Sequence, residues 1–304
     1  MDNQCFQANV LLAEDNEINQ EVARGALQKY GCRVTTVNNG RAALDAIALE
    51  AFDLVLMDCQ MPELDGLAAT RLIRQAERGG ARHLPVVALT ATAFATDRAN
   101  CLAAGMDDYI CKPFRDGEIA AMLQRWLAPE RDAKAVNVPN LGESGEMKAI
   151  ETAAAAMPAT PQMESDAPIF SPDALAMLRT YQVAGEEDMV TGVLKRFLGG
   201  ADARIATMRS AMEHDDVAAA GAAAHGMKAS AAFAGALRLS AACAQLDNAA
   251  RDGSLALARQ AFTGLLHEYE SALPFLQAAL QAATWETTQE AGRPMPAVAG
   301  APPS

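Results

Sequence analysis

Positive charge is scarce in this chain: 25 Lys and Arg stand against 38 Asp and Glu, a formal net charge of -13. So acidic a protein is not expected to bind nucleic acid or an anionic membrane nonspecifically, and its natural partners are cations, basic surfaces or other proteins. A basic helix-turn-helix is lacking as well, which argues against DNA binding. Aromatic residues make up only 5% of the sequence while Ala is abundant, so at least part of the core is expected to be helical and packed from small side chains. The six Cys (5, 32, 59, 101, 111 and 243) form no CxxC pair and have no His nearby. Neither a zinc site nor a disulfide framework is indicated, and a reducing cytoplasm fits. Long apolar runs are missing too. The Ala-rich stretch from Val217 to Ala236 is interrupted by His225, Lys228 and Ser230, and Ala is barely apolar enough for a membrane segment. No signal peptide is recognisable.

What is present is a length of 304 residues, room for about two domains, and a hydrophobic content of 51%, which excludes a wholly disordered chain. In the first part, short apolar runs alternate with helical periodicity. Strands are expected at Asn9 to Ala13, Cys32 to Val37, Leu54 to Met57, Pro85 to Thr90 and Tyr109 to Cys111. Helices are expected at Asn16 to Tyr30, Arg41 to Leu49, Leu67 to Arg78 and Thr96 to Ala104, and Lys112-Pro113 leads to a fifth that ends near Leu127. Regular alternation of this kind predicts an α/β domain with a five-stranded parallel sheet covered on both faces.

The pivotal stretch is DLVLMDCQMPELDG, Asp53 to Gly66: a buried strand that ends abruptly at Asp58, with Pro62 and Gly66 as turn punctuation. Parallel strands point one way, so Glu14, Asp15, Asp58, Thr90 and Lys112 all fall at carboxyl ends, the edge where open α/β sheets bind ligands. Three carboxylates so close repel one another and call for a hard, oxygen-seeking cation such as Mg2+. A metal beside a carboxylate, with one hydroxyl and one ammonium, is what a phosphoryl group requires. The expected product is an aspartyl phosphate on Asp58.

These residues resemble a known family. LLAEDN, VLMDCQMPELDG, ALTA and Lys112-Pro113 look like the motifs of the receiver domain of two-component response regulators, especially receivers attached to hybrid sensor kinases, over roughly Asn9 to Leu127. The resemblance implies a flavodoxin-like fold with Asp58 as phosphoacceptor. It further implies that Glu14, Asp15, Asp58 and the main-chain carbonyl of Gln60 hold Mg2+, and that Thr90 and Lys112 contact the phosphoryl group. Tyr109 matches the aromatic that moves with Thr90 when phosphate arrives, Ala91 keeps the site open, and Gln60 and Thr92 flank the path of water.

From Ala128 to Pro168 periodicity disappears and Ala, Pro, Glu, Met and Ser dominate, as in a flexible linker, with at most a transient helical turn from Lys148 to Ala156. A second, all-helical domain is expected over residues 169–283, with Ser171-Pro172-Asp173 as its first N-cap. Its helices read as Ala174 to Tyr181, Glu186 to Met212 with a bend at Gly199-Gly200, Asp216 to Ala234, Ala236 to Arg251 and Ser254 to Ala283. Short connections predict an antiparallel bundle. Residues 284–304, rich in Pro near their end, read as a disordered tail.

Within the bundle, a helical wheel turns Ala220, Ala223, Ala224, Met227, Ala231 and Ala234 inward. It leaves His225 exposed, with Lys228 a turn later and Ala218, Gly221, Ala222, Ala229 and Ala232 around it. So bare a surface suits a partner that presses its active site onto the imidazole while Lys228 offsets the phosphoryl charge. The segment looks like a histidine phosphotransfer domain, matching it at His225, Lys228, Gly235-Ala236, Leu239 and Leu246. It departs from the family at Ala229, where Gly is usual, and at Asp247, where Glu is usual.

Together the two resemblances imply a phosphorelay. An upstream sensor histidine kinase donates to Asp58, the group moves to His225, and a downstream response regulator receives it. The chain is expected to catalyse only its own phosphorylation and dephosphorylation, since ATP-binding glycine motifs and a dimerising helical hairpin are lacking. Two alternatives are the carboxyl-terminal portion of a hybrid sensor histidine kinase and an unphosphorylated signalling scaffold.

Overall fold

The computed structural model describes residues 5–80, 82–90, 95–127, 167–183 and 185–291. They form two compact units, one built on a sheet and one built of helices. The expected linker from Ala128 to Pro168, with its turn at Lys148 to Ala156, lies almost wholly outside the described residues, as do Ala91 and Thr92.

In chain order residues 9–127 form β1 (Asn9–Ala13), α1 (Glu17–Lys29), β2 (Arg33–Val37), α2 (Gly40–Leu49), β3 (Leu54–Asp58), α3 (Gly66–Glu77), β4 (Val86–Thr90), α4 (Ala95–Ala104), β5 (Asp108–Cys111) and α5 (Asp116–Leu127); all belong to the first unit except α1, which falls in the second. The strands form one parallel sheet in the order β2-β1-β3-β4-β5. That is the flavodoxin-like doubly wound order, in which ligands bind beyond the carboxyl ends of the strands. Burial explains the sequence pattern: every residue of β3 and β4 is buried, so these strands read as unbroken apolar runs. β2, at the edge, is mostly exposed and correspondingly mixes Arg and Thr with Val.

On one sheet face Leu11, Ala13, Val55, Met57, Val86 and Ala88 join Ala43, Ala69, Ile73 and Cys101 in a single core. The alternate residues Val10, Leu12, Leu54, Leu56, Val87 and Leu89 are buried as well and point to the opposite face. Helices α2 and α3 start on side-chain caps, Asn39 accepting from the Ala42 N–H and Asp65 from the Ala68 N–H.

The second unit contains α6 (Pro172–Arg179), α7 (Met189–Glu213), α8 (Val217–Phe233), α9 (Leu237–Arg251) and α10 (Leu255–Ala291). The last four follow one another through the short connections 214–216, 234–236 and 252–254. Val193, Phe197, Ile205, Met208 and Met212 of α7 are all buried, as their spacing predicts. The helix runs continuously through Gly199-Gly200. Ser171 stands at the N-cap of α6 with Pro172 next to it, but its side chain makes no capping bond. Effective caps lie instead at Asp188 and Asp216, which accept from the N–H groups of Thr191 and Ala219.

One expectation needs correction. The bundle does not stop at Ala283, because α10 continues to Ala291. Residues 281–291, QAATWETTQEA, hold neither Gly nor Pro and are rich in helix-forming Ala, Gln and Glu, so nothing ends the helix before Gly292. The rest of the expected tail lies outside the described residues.

Candidate functional site

Sheet register brings the predicted acidic residues to one edge. β1 pairs with β3 up to Ala13↔Met57, β3 with β4 up to Asp58↔Leu89, and β4 with β5 up to Thr90↔Cys111. Main-chain bonds extend the β1–β2, β3–β4 and β4–β5 ladders one residue further: the Glu14 N–H donates to the Val37 carbonyl at 3.0 Å, Cys59 to Leu89 at 3.2 Å and Lys112 to Thr90 at 2.7 Å. Glu14, Asp58, Thr90 and Lys112 are therefore set by backbone pairing. They are also buried, with relative exposures of 1%, 3%, 7% and 6%.

Carboxylate oxygens of Glu14, Asp15 and Asp58 all lie within 4.8 Å of one another, and Asp15 is the exposed member. Lys112 Nζ donates to Glu14 Oε2 and to Asp58 Oδ2, at 2.8 Å each. Burial alone would pull the lysine's pKa down, but the charges of Asp58 and Glu14 outweigh it and hold the ammonium above its ordinary range. The Gln60 N–H donates to Asp58 Oδ1 at 3.3 Å. Behind this loop, Gly66 is needed because α3 comes so close: a Cβ there would sit 2.0 Å from the Asp58 carbonyl oxygen. Tyr109 lies two residues short of the register of Thr90, paired with Ala88, and the Arg98 guanidinium lies 5.3 Å from its ring centre.

The donor set suits a small hard cation. Ligand oxygens of an octahedral Mg2+ at about 2.1 Å are separated by roughly 3 to 4 Å, within the spread seen here, and the exposed side at Asp15 leaves room for the waters such an ion retains.

In the helical unit, His225 projects from α8 toward α9. Its Nδ1 lies 2.9 Å from Asp247 Oδ2, and Arg251, one turn on from Asp247, approaches both carboxylate oxygens at 3.3 Å. An ionised carboxylate only accepts, so Nδ1 carries a proton, and in the neutral ring Nε2 then keeps its lone pair. Burial pushes Asp247 up, but His225 and then Arg251 more than offset it and hold the acid below the usual carboxylate value. The two helices approach closely at Gly221, where a Cβ would fall 2.2 Å from Ala250 Cβ. Lys228 is half-buried one turn past His225, and its carbonyl accepts from the Ser240 hydroxyl at 2.9 Å.

This corrects the expectation of an open imidazole. The His225 side chain is 14% exposed, and Gly221, Ala229 and Ala232 are buried, leaving Ala218 and Ala222 as the exposed small residues near it. The physical reason is that α9 comes up to this side of α8 and supplies Asp247. Neither Asp247 nor Arg251 was singled out from the sequence as functional, although a carboxylate and an arginine four residues apart on an otherwise Ala- and Leu-rich helix were a usable signal.

Among the described residues no helix is long and apolar enough to cross a membrane. Comparison with known families matches residues 10–124 to the response regulator receiver domain and residues 192–288 to the Hpt domain. Sensor protein GacS of Pseudomonas syringae pv. syringae is 43% identical over 138 residues, which is 42% of this chain and 15% of the relative. Histidine kinase 1 of Arabidopsis thaliana is 39% identical over 137 residues, 34% of this chain and 11% of the relative. The chain thus matches only a small fraction of the length of these curated relatives. Among solved structures, the receiver domain of a sensor histidine kinase from Pseudomonas aeruginosa PAO1, described with a magnesium ion in its active site cleft, is 47% identical. It covers 40% of this chain and 98% of its own, with a TM-score of 0.37. A second similar structure is the co-crystal of the Saccharomyces cerevisiae phosphotransfer protein Ypd1 with the receiver of its downstream regulator, at 31% identity, 40% and 89% coverage and a TM-score of 0.37. The chain thus carries a response regulator receiver domain over residues 10–124 followed by an Hpt domain over residues 192–288.

Proposed function

We propose that Asp58 accepts a phosphoryl group from a phosphohistidine of an upstream sensor histidine kinase, and that His225 passes it on to a downstream response regulator. The observation that carries this reading is the buried cluster in which Lys112 bridges Asp58 and Glu14 beside Asp15. An Asp58 carboxylate oxygen attacks phosphorus while the donor's N–P bond breaks, leaving an acyl phosphate. Mg2+, held by Glu14, Asp15, Asp58 and the main-chain carbonyl of Gln60, would supply charge neutralisation to the phosphoryl oxygens. Lys112 exchanges part of its carboxylate bonding for the incoming group, the Thr90 hydroxyl donates a second bond, and Tyr109 follows Thr90 as the signal-bearing side chain. In the next transfer the lone pair on His225 Nε2 attacks phosphorus and the bond to the Asp58 oxygen breaks. Asp247 steadies the positive charge that develops on the ring, and Lys228 offsets the charge of the arriving phosphoryl group.

Phosphate-affinity gels of wild type, Asp58→Asn and His225→Gln, after incubation with acetyl phosphate and Mg2+, test the scheme. Label absent from Asp58→Asn and retained on aspartate in His225→Gln supports it. A wild type that never labels, even with a cognate kinase, favours a scaffold.

A further inference from the structure

A carboxylate that orients an imidazole is only as well aimed as its own environment makes it. Asp247 is 5% exposed and has two oxygens to satisfy. Oδ2 faces His225 Nδ1 at 2.9 Å, while Arg251 reaches round with Nε 3.3 Å from Oδ1 and Nη2 3.3 Å from Oδ2. This is a side-on, two-point grip from the same helix, and its geometry fixes the plane of the carboxylate as well as its position. A single-point contact would leave the carboxylate free to rotate about its last torsion. The Arg251 side chain is 36% exposed, so as a mere surface ion pair it would contribute little. Its leverage comes from what it holds.

Resting on the proposed phosphotransfer at His225, we infer that Arg251 is a positioning residue for that step. It aligns Asp247 so that the His225 proton stays on Nδ1 and the Nε2 lone pair stays available to phosphorus. It acts entirely through Asp247. On α9 the buried thiol of Cys243, which feels Lys228, Asp247 and Arg204, is pushed by burial up to about 12, so that it stays neutral and does not compete for the proton.

The test uses the full chain. Two-dimensional 1H–15N correlation of the neutral His225 ring reads the tautomer directly, and the rate at which acid-labile label moves from Asp58 to His225 reads the chemistry. Wild type should show Nδ1–H alone. Arg251→Gln should show a mixture of both tautomers and transfer slowed by about tenfold, comparable to the loss of a modest orienting hydrogen bond. Arg251→Lys, which keeps the charge but not the fork, should recover only part of that loss. Labelling of Asp58 by acetyl phosphate should be the same in all three. An unchanged tautomer and an unchanged transfer rate in Arg251→Gln would overturn the assignment. If wild-type His225 holds the Nδ1–H tautomer but never takes up label, the relay reading fails. The role of Arg251 then still stands or falls on the tautomer spectra of the two variants.

Discussion

At the scale of single residues, the two sites use charge in opposite ways. Lys112 is a buried cation shared by two buried carboxylates, so removing it strands negative charge away from water. Lys112→Met is expected to lower the unfolding free energy by about 3 to 5 kcal/mol, as is usual when one partner of a buried ion pair is deleted, and urea denaturation measures it. Asp247 has a folded pKa below its ordinary value of 3.8, for the reasons given above. A depressed acid contributes stability that is complete above the unfolded value and is lost as pH falls through the folded one. Asp247→Asn should therefore flatten the decline in urea midpoint below about pH 4 while lowering the midpoint near neutrality. A variant that retains the wild-type acid limb would assign that limb to other carboxylates. Legibility differed between these residues for a physical reason. Asp58, Glu14 and Lys112 end apolar strands, and a sharp switch from apolar to charged marks a sheet edge in any linear reading. Asp247 meets His225 only because α8 and α9 fold against each other, a contact no local pattern records.

Secondary-structure elements impose their own constraints through two glycines. Gly66 lets α3 start against the Asp58 carbonyl, and Gly221 lets α8 lie against Ala250. Gly66→Ala is expected to destabilise the sheet unit by roughly 1 to 3 kcal/mol, the range for overpacking, and to slow labelling of Asp58. Gly221→Ala should cost a similar amount, roughly 1 to 3 kcal/mol, and by pushing α8 off α9 should weaken the His225–Asp247 bond. Its tautomer spectrum should then resemble that of Arg251→Gln. Strands and helices of the sheet unit were readable almost to the residue, because β3 and β4 are buried on both faces and the helices between them show a clear periodicity. The exposed side of α8 was not. Its Ala and Gly residues look alike on a wheel whether they face water or another helix, and the continuation of α10 to Ala291 was hidden by a polar but helix-forming composition.

For the molecule as a whole, the net charge of -13 sets the expectation that duplex DNA at physiological salt produces no mobility shift with this protein, and a salt-sensitive shift would contradict it. Architecture has a kinetic side as well. Every neighbouring pair in the parallel sheet is joined by a crossover, and β1 must also find β3 across the whole of α1, β2 and α2, whereas the last four helices are joined by short turns. Local contacts form faster than distant ones. Helical signal should thus return ahead of the sheet's tertiary signal after dilution from urea. On the ribosome the order of emergence runs the other way, since the slower unit leaves the exit tunnel first and gains time to complete its sheet before the faster one exists.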